Sequence, residues 1–231
     1  MIKSIFLDVD NTLLDFHASA ALAMSDVMTD FGAAYDPAMF GTFRRINDGL
    51  WLRIEQGTLT KPELYRIRWN LIFAELGLPL DGPAFETRFL KRLQTAAVPV
   101  GGAEELLRHL QGRYLMCVTS NAPHHQQELR LTAAGLMPYL DHVFTSELVG
   151  SEKPSRSFFD GCFRRLNESR TLPIRPDEVL LIGDSPTADI RGGVDYGMRT
   201  CWFRYDADTI LPQDLHPDDT VDTLTELITR L

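Results

Sequence analysis

The sequence predicts an α/β protein, a doubly wound parallel sheet with an all-helical insertion after its first strand. Three observations carry this. Residues 2–8, "IKSIFLD", read as a short buried strand that ends in a carboxylate. The stretch from 16 to 97 holds helix signals and no convincing strand. From Pro99 onward, apolar runs alternate with helical segments, which is the pattern of a parallel sheet covered on both faces. The expected organisation is therefore a core of residues 1–15 and 98–231, interrupted by a helical domain of residues 16–97.

Within the insertion, four helices are expected, over 17–31, 37–55, 61–76 and 82–95. Asp36-Pro37 fits an N-cap followed by Pro at the first helical position, Thr60 and Glu63 have capping-box spacing, and Gly32 and Gly77 sit where helices would stop. The later strands are "YLMCVTS" (114–120), "HVFTS" (142–146), "EVLLIGD" (178–184) and "RTCWFR" (199–204). A polar, Pro-containing loop over 205–219 leads to a final helix near 220–230. There is no internal repeat or low-complexity tract.

Composition narrows the function. A chain of 231 residues with 44% hydrophobic content can bury one substantial core and a smaller second one. A net charge of −9 argues against a broad nucleic-acid or anionic-membrane footprint and leaves room for a local anion site. The leading apolar run is too short for a signal-peptide core or a membrane span, so a cytoplasmic protein is expected. Cys117, Cys162 and Cys201 are odd in number and lack C-x-x-C spacing, against a disulfide framework or a zinc site.

In open α/β sheets, ligands bind beyond the C-terminal strand ends. Four strands deliver polar groups there: Asp8 and Asp10, then Ser120 and Asn121, then Lys153, then Asp184 with Asp189 close behind. Taken singly, each is an ordinary turn or cap residue. Together they suit phosphoryl transfer to water. Crowded carboxylates free of His and Cys favour Mg2+. Asp8 is placed to attack an electrophile, and Asp10, two residues on, to exchange a proton with leaving group and water. Ser120 and Lys153 would bind phosphoryl oxygens, with Lys153 also countering the carboxylate charge.

"DVDNT" (8–12), "VTSN" (118–121), "EKP" (152–154) and "GDSPTAD" (183–189) resemble, in order, the four signature motifs of the haloacid dehalogenase superfamily. The resemblance spans most of the chain, and the helical insertion is similar to that superfamily's C1-type cap. It implies a Rossmann-like core and the following roles: Asp8 as nucleophile, Asp10 as general acid/base and main-chain metal ligand, and Asp184 as the third protein ligand of Mg2+. Asp189 would be an outer-shell partner, Ser120 the phosphate-binding hydroxyl and Lys153 the third-motif lysine, with Thr12 and Asn121 supporting the phosphate. Carbon–halogen hydrolases of the superfamily usually lack the second aspartate. Its presence as Asp10 points to a phosphatase, and the insertion has no extra basic cluster of the kind a phosphomutase needs.

Two other readings use the same stretches. Gly183-Asp184-Ser185 resembles the serine block of a lipase-like hydrolase, although Ser185-Pro186 fits an N-cap better and Asp8 and Lys153 would go unexplained. A non-enzymatic phospho-relay module is the second, and the large insertion over the strand ends speaks against it. Substrate choice falls to the insertion. In "FRRINDGLWLRIEQGTLT" (43–60), Phe43, Ile46, Leu50 and Ile54 make an apolar helical stripe. Asn47 and Trp51 either join it or face a substrate, one with amide hydrogen bonds and the other with a stacking surface. The segment and "GMRTCWF" (197–203) most resemble bacterial pyrimidine 5′-nucleotidases, with sugar-phosphate and phosphoglycolate phosphatases as the alternative. The expected partner is a small phosphomonoester, and the expected assembly a monomer or homodimer.

Overall fold

The computed structural model describes residues 1–231 and divides into two compact units, Met1–Asp15 with Val98–Leu231, and Phe16–Ala97. No helix is long and apolar enough to cross a membrane.

The first unit is a six-stranded parallel sheet. Its strands are β1 (Ser4–Leu7), β2 (Leu115–Ser120), β3 (His142–Thr145), β4 (Val179–Gly183), β5 (Arg199–Phe203) and β6 (Asp219–Val221), in the spatial order β3-β2-β1-β4-β5-β6. β1 lies at the centre, where both faces are covered, and its side chains alternate accordingly. Ile5 and Leu7 pack with Leu106, Leu107 and Leu110 of α5 (Ala103–Leu110) on one face. Phe6 packs with Phe158, Phe159 and Phe163 of α7 (Arg156–Asn167) on the other. The order reverses direction on either side of β1, which opens a crevice at the C-terminal ends of β1, β2 and β4.

The second unit is all helical: α1 (Phe16–Asp30), α2 (Met39–Glu55), α3 (Lys61–Leu76) and α4 (Gly82–Leu93). Its core is aromatic, with Phe43, Trp69, Phe85 and Phe89 fully enclosed. Burial of each such ring contributes about 1.5–3 kcal/mol. The capping box at the start of α3 forms, Glu63 accepting from the Thr60 N–H at 2.9 Å, and Gly77 ends the helix in the left-handed conformation. Chain entry and exit are tied together on the sheet unit: Asp15 N–H donates to the Val98 carbonyl at 2.8 Å and Val100 N–H to that of Leu13 at 3.0 Å.

Two expectations are corrected. α2 starts at Met39, because Asp36 accepts from the Ala38 N–H and closes a turn before the helix begins. The expected helix over 220–230 is a short strand, β6, followed by a 3₁₀ helix over Leu224–Thr229. Pairing with β5 overrides the local pattern there, satisfying backbone groups along the open edge of β5.

Candidate active site

β1 runs one residue beyond its ladder, where the Asp8 N–H donates to the Ile182 carbonyl at 2.9 Å. This fixes the Asp8 backbone at the sheet's C-terminal edge, with the side chain only 10% exposed. The chain then folds back sharply, the N–H groups of Leu13 and Leu14 both reaching the Val9 carbonyl. Asn11 sits at φ +61°, a left-handed position that Asn tolerates better than most residues. The turn keeps Asp10 near the surface and buries Thr12, whose hydroxyl lies 3.5 Å from Asp184 Oδ1.

Lys153 organises the centre. Its ammonium is buried and donates to Asp8 Oδ1 at 2.7 Å, Asp189 Oδ1 at 2.6 Å and the Thr119 carbonyl at 2.8 Å. All three ammonium hydrogens therefore have acceptors. The Lys153 backbone is held in turn by Asn121, which accepts from the Lys153 N–H at 2.8 Å and donates to its carbonyl at 3.0 Å. Asn121 thus acts on the Lys153 loop. Asp189 comes from a π-helical turn, Pro186–Arg191, capped by Ser185. Its second oxygen accepts from the Ser185 N–H at 3.1 Å. A Cβ on Gly183 would lie 2.4 Å from the Asp189 carboxylate, so only glycine fits at the end of β4.

Electrostatics follow from this crowding. Burial pushes the Asp8 carboxyl up to about 7; Lys153 opposes the shift, while Asp189 and Asp10 add to it. Asp184 is raised well above the carboxylate range, first by burial and then by Asp8 and Asp189. For Lys153, burial acts downward, but Asp189 and Asp8 together outweigh it and hold the ammonium above its ordinary value.

One ammonium does not balance three carboxylates. Oxygens of Asp8, Asp184 and Asp189 lie within 4.8 Å of one another. Because Asp189 already accepts from Lys153 and Ser185, Asp8 and Asp184 are the carboxylates left for a cation, and an all-oxygen donor set of this kind fits Mg2+. The Asp10 side chain is not in the cluster; only its main-chain carbonyl was expected to ligate.

Three functional contacts were not anticipated. Gln127 and Arg130, both fully buried on α6 (His124–Ala133), reach the Asp10 carboxylate. The indole N–H of Trp202 donates to the Asp184 carbonyl at 2.9 Å and fixes that loop. The available signal was polar Gln and Arg at i, i+3 on a helix that must bury one face.

In the helical unit, Asn47 is buried, accepts from Arg68 Nη1 at 2.8 Å and lies 3.4 Å from Asp48. Its carbonyl is committed inside the unit by the buried Arg68–Glu86 pair, which sets Asn47 on the buried stripe, one of the two placements the sequence left open. Trp51 is half-buried beside Leu50, Ile54, Leu59 and Leu64.

The sheet, the four strand-end groups and the buried Asp8–Lys153–Asp189 triad define a hydrolase. Residues 2–197 match the haloacid dehalogenase-like hydrolase model, and the chain belongs to that family. It is 32% identical over 211 residues to the HAD-hydrolase YfnB of Bacillus subtilis, covering 91% of this chain and 88% of YfnB. A crystal structure of YfnB bound to magnesium superposes with a TM-score of 0.90, covering 100% of this chain and 98% of that one. The chain is also similar to pyrimidine 5′-nucleotidases. PynA of Streptococcus pneumoniae is 31% identical over 87% of this chain and 83% of its own length. YjjG of Escherichia coli is 28% identical over 96% and 95% respectively. Within the family, these likenesses make the chain a phosphomonoester hydrolase.

Proposed function

We propose that this enzyme hydrolyses nucleoside 5′-monophosphates, pyrimidine nucleotides foremost, through a phosphorylated Asp8 and with Mg2+, acting in the cytoplasm on diffusible substrates. The observation that carries the mechanism is the Lys153 ammonium buried between Asp8 and Asp189. It holds Asp8 Oδ1 and leaves Oδ2 as the attacking atom.

In the first step the bond from Asp8 Oδ2 to phosphorus forms and the ester P–O bond breaks, while Asp10 gives its proton to the departing alkoxide. In the second, Asp10 takes a proton from water as the water oxygen attacks phosphorus. The acyl phosphate breaks, releasing inorganic phosphate and the Asp8 carboxylate. Ser120 binds a phosphoryl oxygen, and Lys153, its three hydrogens committed to Asp8, Asp189 and the Thr119 carbonyl, offsets the negative charge gathered there, with Thr12 and Asn121 holding the surrounding loops. Asp8, Asp184 and the Asp10 carbonyl would hold Mg2+, whose positive charge would offset the repulsion between the nucleophile and the anionic phosphoryl group.

The helical unit serves as the cap in this reading, with Trp51 offering its ring to the base. The named activities of PynA and YjjG support that choice of substrate. Asn47 supports the helix that carries Trp51.

The test is a phosphomonoester screen with Mg2+, run beside Asp8→Asn. The variant should fold and lose turnover, because an amide of the same shape is a poor nucleophile. Wild-type-like hydrolysis by folded Asp8→Asn would end the mechanism. A sugar phosphate or phosphoglycolate at the top of the screen, with UMP and dUMP near background, would end the nucleotidase assignment alone.

A further inference from the structure

We infer that Gln127 and Arg130 form a clamp that aims the Asp10 carboxylate and ties it to the phosphate-binding hydroxyl of Ser120. The inference rests on the reading of Asp10 as general acid/base.

Arg130 Nη1 donates to Asp10 Oδ1 and, at 3.0 Å, to Gln127 Oε1. With its carbonyl turned to Arg130, the Gln127 amide nitrogen faces Asp10 Oδ2 at 2.7 Å and Ser120 Oγ at 2.8 Å, and its two hydrogens serve one each. The opposite flip would set an amide oxygen against a carboxylate. Both Asp10 oxygens are thus held by fully buried donors from one helix, while the Asp10 side chain itself keeps 29% exposure. A carboxylate oxygen has two acceptor directions, so Oδ2 retains one for a leaving group or water.

The same amide acts on Ser120. Ser120 Oγ accepts from Gln127 and, at 3.1 Å, from the Ala122 N–H. With both lone pairs engaged, the hydroxyl can only donate, which suits a phosphoryl oxygen and no cation. Gln127 therefore links the group that binds the phosphoryl oxygens to the group that moves the proton. These are positioning residues, because neither has to touch the substrate for the clamp to work.

The test compares kcat/KM on p-nitrophenyl phosphate, whose nitrophenolate departs without a proton, with kcat/KM on an alkyl phosphomonoester that the wild type hydrolyses. This parameter ends with loss of the leaving group, so it isolates the acid step. In the reference variant Asp10→Asn, the alkyl-to-aryl ratio should fall by roughly 100-fold or more, the usual size of general acid assistance. In Arg130→Met and Gln127→Met, the ratio should fall by about 10-fold or more, with part of the loss recovered in Arg130→Lys, which keeps the charge but not the planar fork. Gln127→Met should also lose activity on both substrates through Ser120. If Arg130→Met fails to fold, the isosteric Gln127→Met and the conservative Arg130→Lys carry the comparison. A ratio that stays flat in the clamp variants while Asp10→Asn shifts it would reduce the pair to packing and overturn the inference alone. A flat ratio in Asp10→Asn would remove Asp10 as the acid, and the clamp's purpose with it.

Discussion

Replacing Lys153 with Met keeps a side chain of similar shape and removes the one cation among three crowded carboxylates, two of them buried. The ammonium is 2% exposed and bonded at 2.6–2.8 Å to Asp8, Asp189 and the Thr119 carbonyl, so solvent screening does not dilute its effect. Removing one partner of a buried ion pair costs about 3–5 kcal/mol, because the charge left behind stays desolvated. At roughly 2–4 °C per kcal/mol for a chain of this size, Tm should fall by about 6–20 °C. The Lys153 pKa is raised in the fold, so its contribution is complete below the unfolded value and is lost only as pH climbs past the folded one. A melt at pH 8 in chelator, followed by circular dichroism, therefore reads the full term. Adding Asp189→Asn removes one of the stranded charges, and the double variant should recover about 1–2 kcal/mol. A single variant that melts within about 2 °C of wild type would refute the reasoning, since no buried charge would then have been uncompensated.

Magnesium should stabilise the protein more at pH 8 than at pH 5. The folded Asp8 carboxyl titrates near 7 against 3.8 when free, so metal-free stability falls as pH rises across that window, while the metal takes the ionised form; an equal thermal shift at both pH values would contradict this. Activity should also vanish on exhaustive chelation and return with Mg2+. Trp51→Ala should lower kcat/KM for a nucleotide by about 5- to 150-fold and affect p-nitrophenyl phosphate much less, whereas equal losses would make Trp51 a packing residue. Gly183→Ala drives a methyl group into the Asp189 carboxylate and should cost about 1–3 kcal/mol in a denaturant titration; unchanged stability would show that Asp189 can move aside.

Much of this fold was legible because buried parallel strands read as unbroken apolar runs. "VLLIG" and "LMCVTS" announce β4 and β2 in that way. β6 was not legible. It is three residues long, only Val221 is buried, and its strand character comes from pairing with β5 rather than from its own sequence. The strand-end groups could be read because charge directly after an apolar run is conspicuous. Gln127 and Arg130 were missed because their meaning lies in Asp10, at the far end of the chain in sequence. Asn47 shows the converse. Its place between Phe43 and Leu50 on the buried stripe gave its position, but not its partner Arg68, whose buried pairing with Glu86 is a tertiary fact.

The hydrogen bonds that join Asp15 to Val98 and Leu13 to Val100 have an evolutionary consequence. Everything from Phe16 to Ala97 leaves and rejoins the sheet through two segments already bonded to each other. Exchanging that whole stretch for another of different length and shape would leave the ends of a short closed loop where they are, and loop length itself adds little to the cost of closure. The stem thus insulates the aspartate turn from whatever is inserted between Asp15 and Val98. Lineages sharing this chemistry can diversify in what they recognise by grafting a new insertion at one point, without renegotiating the geometry of Asp8, Lys153 and Asp184.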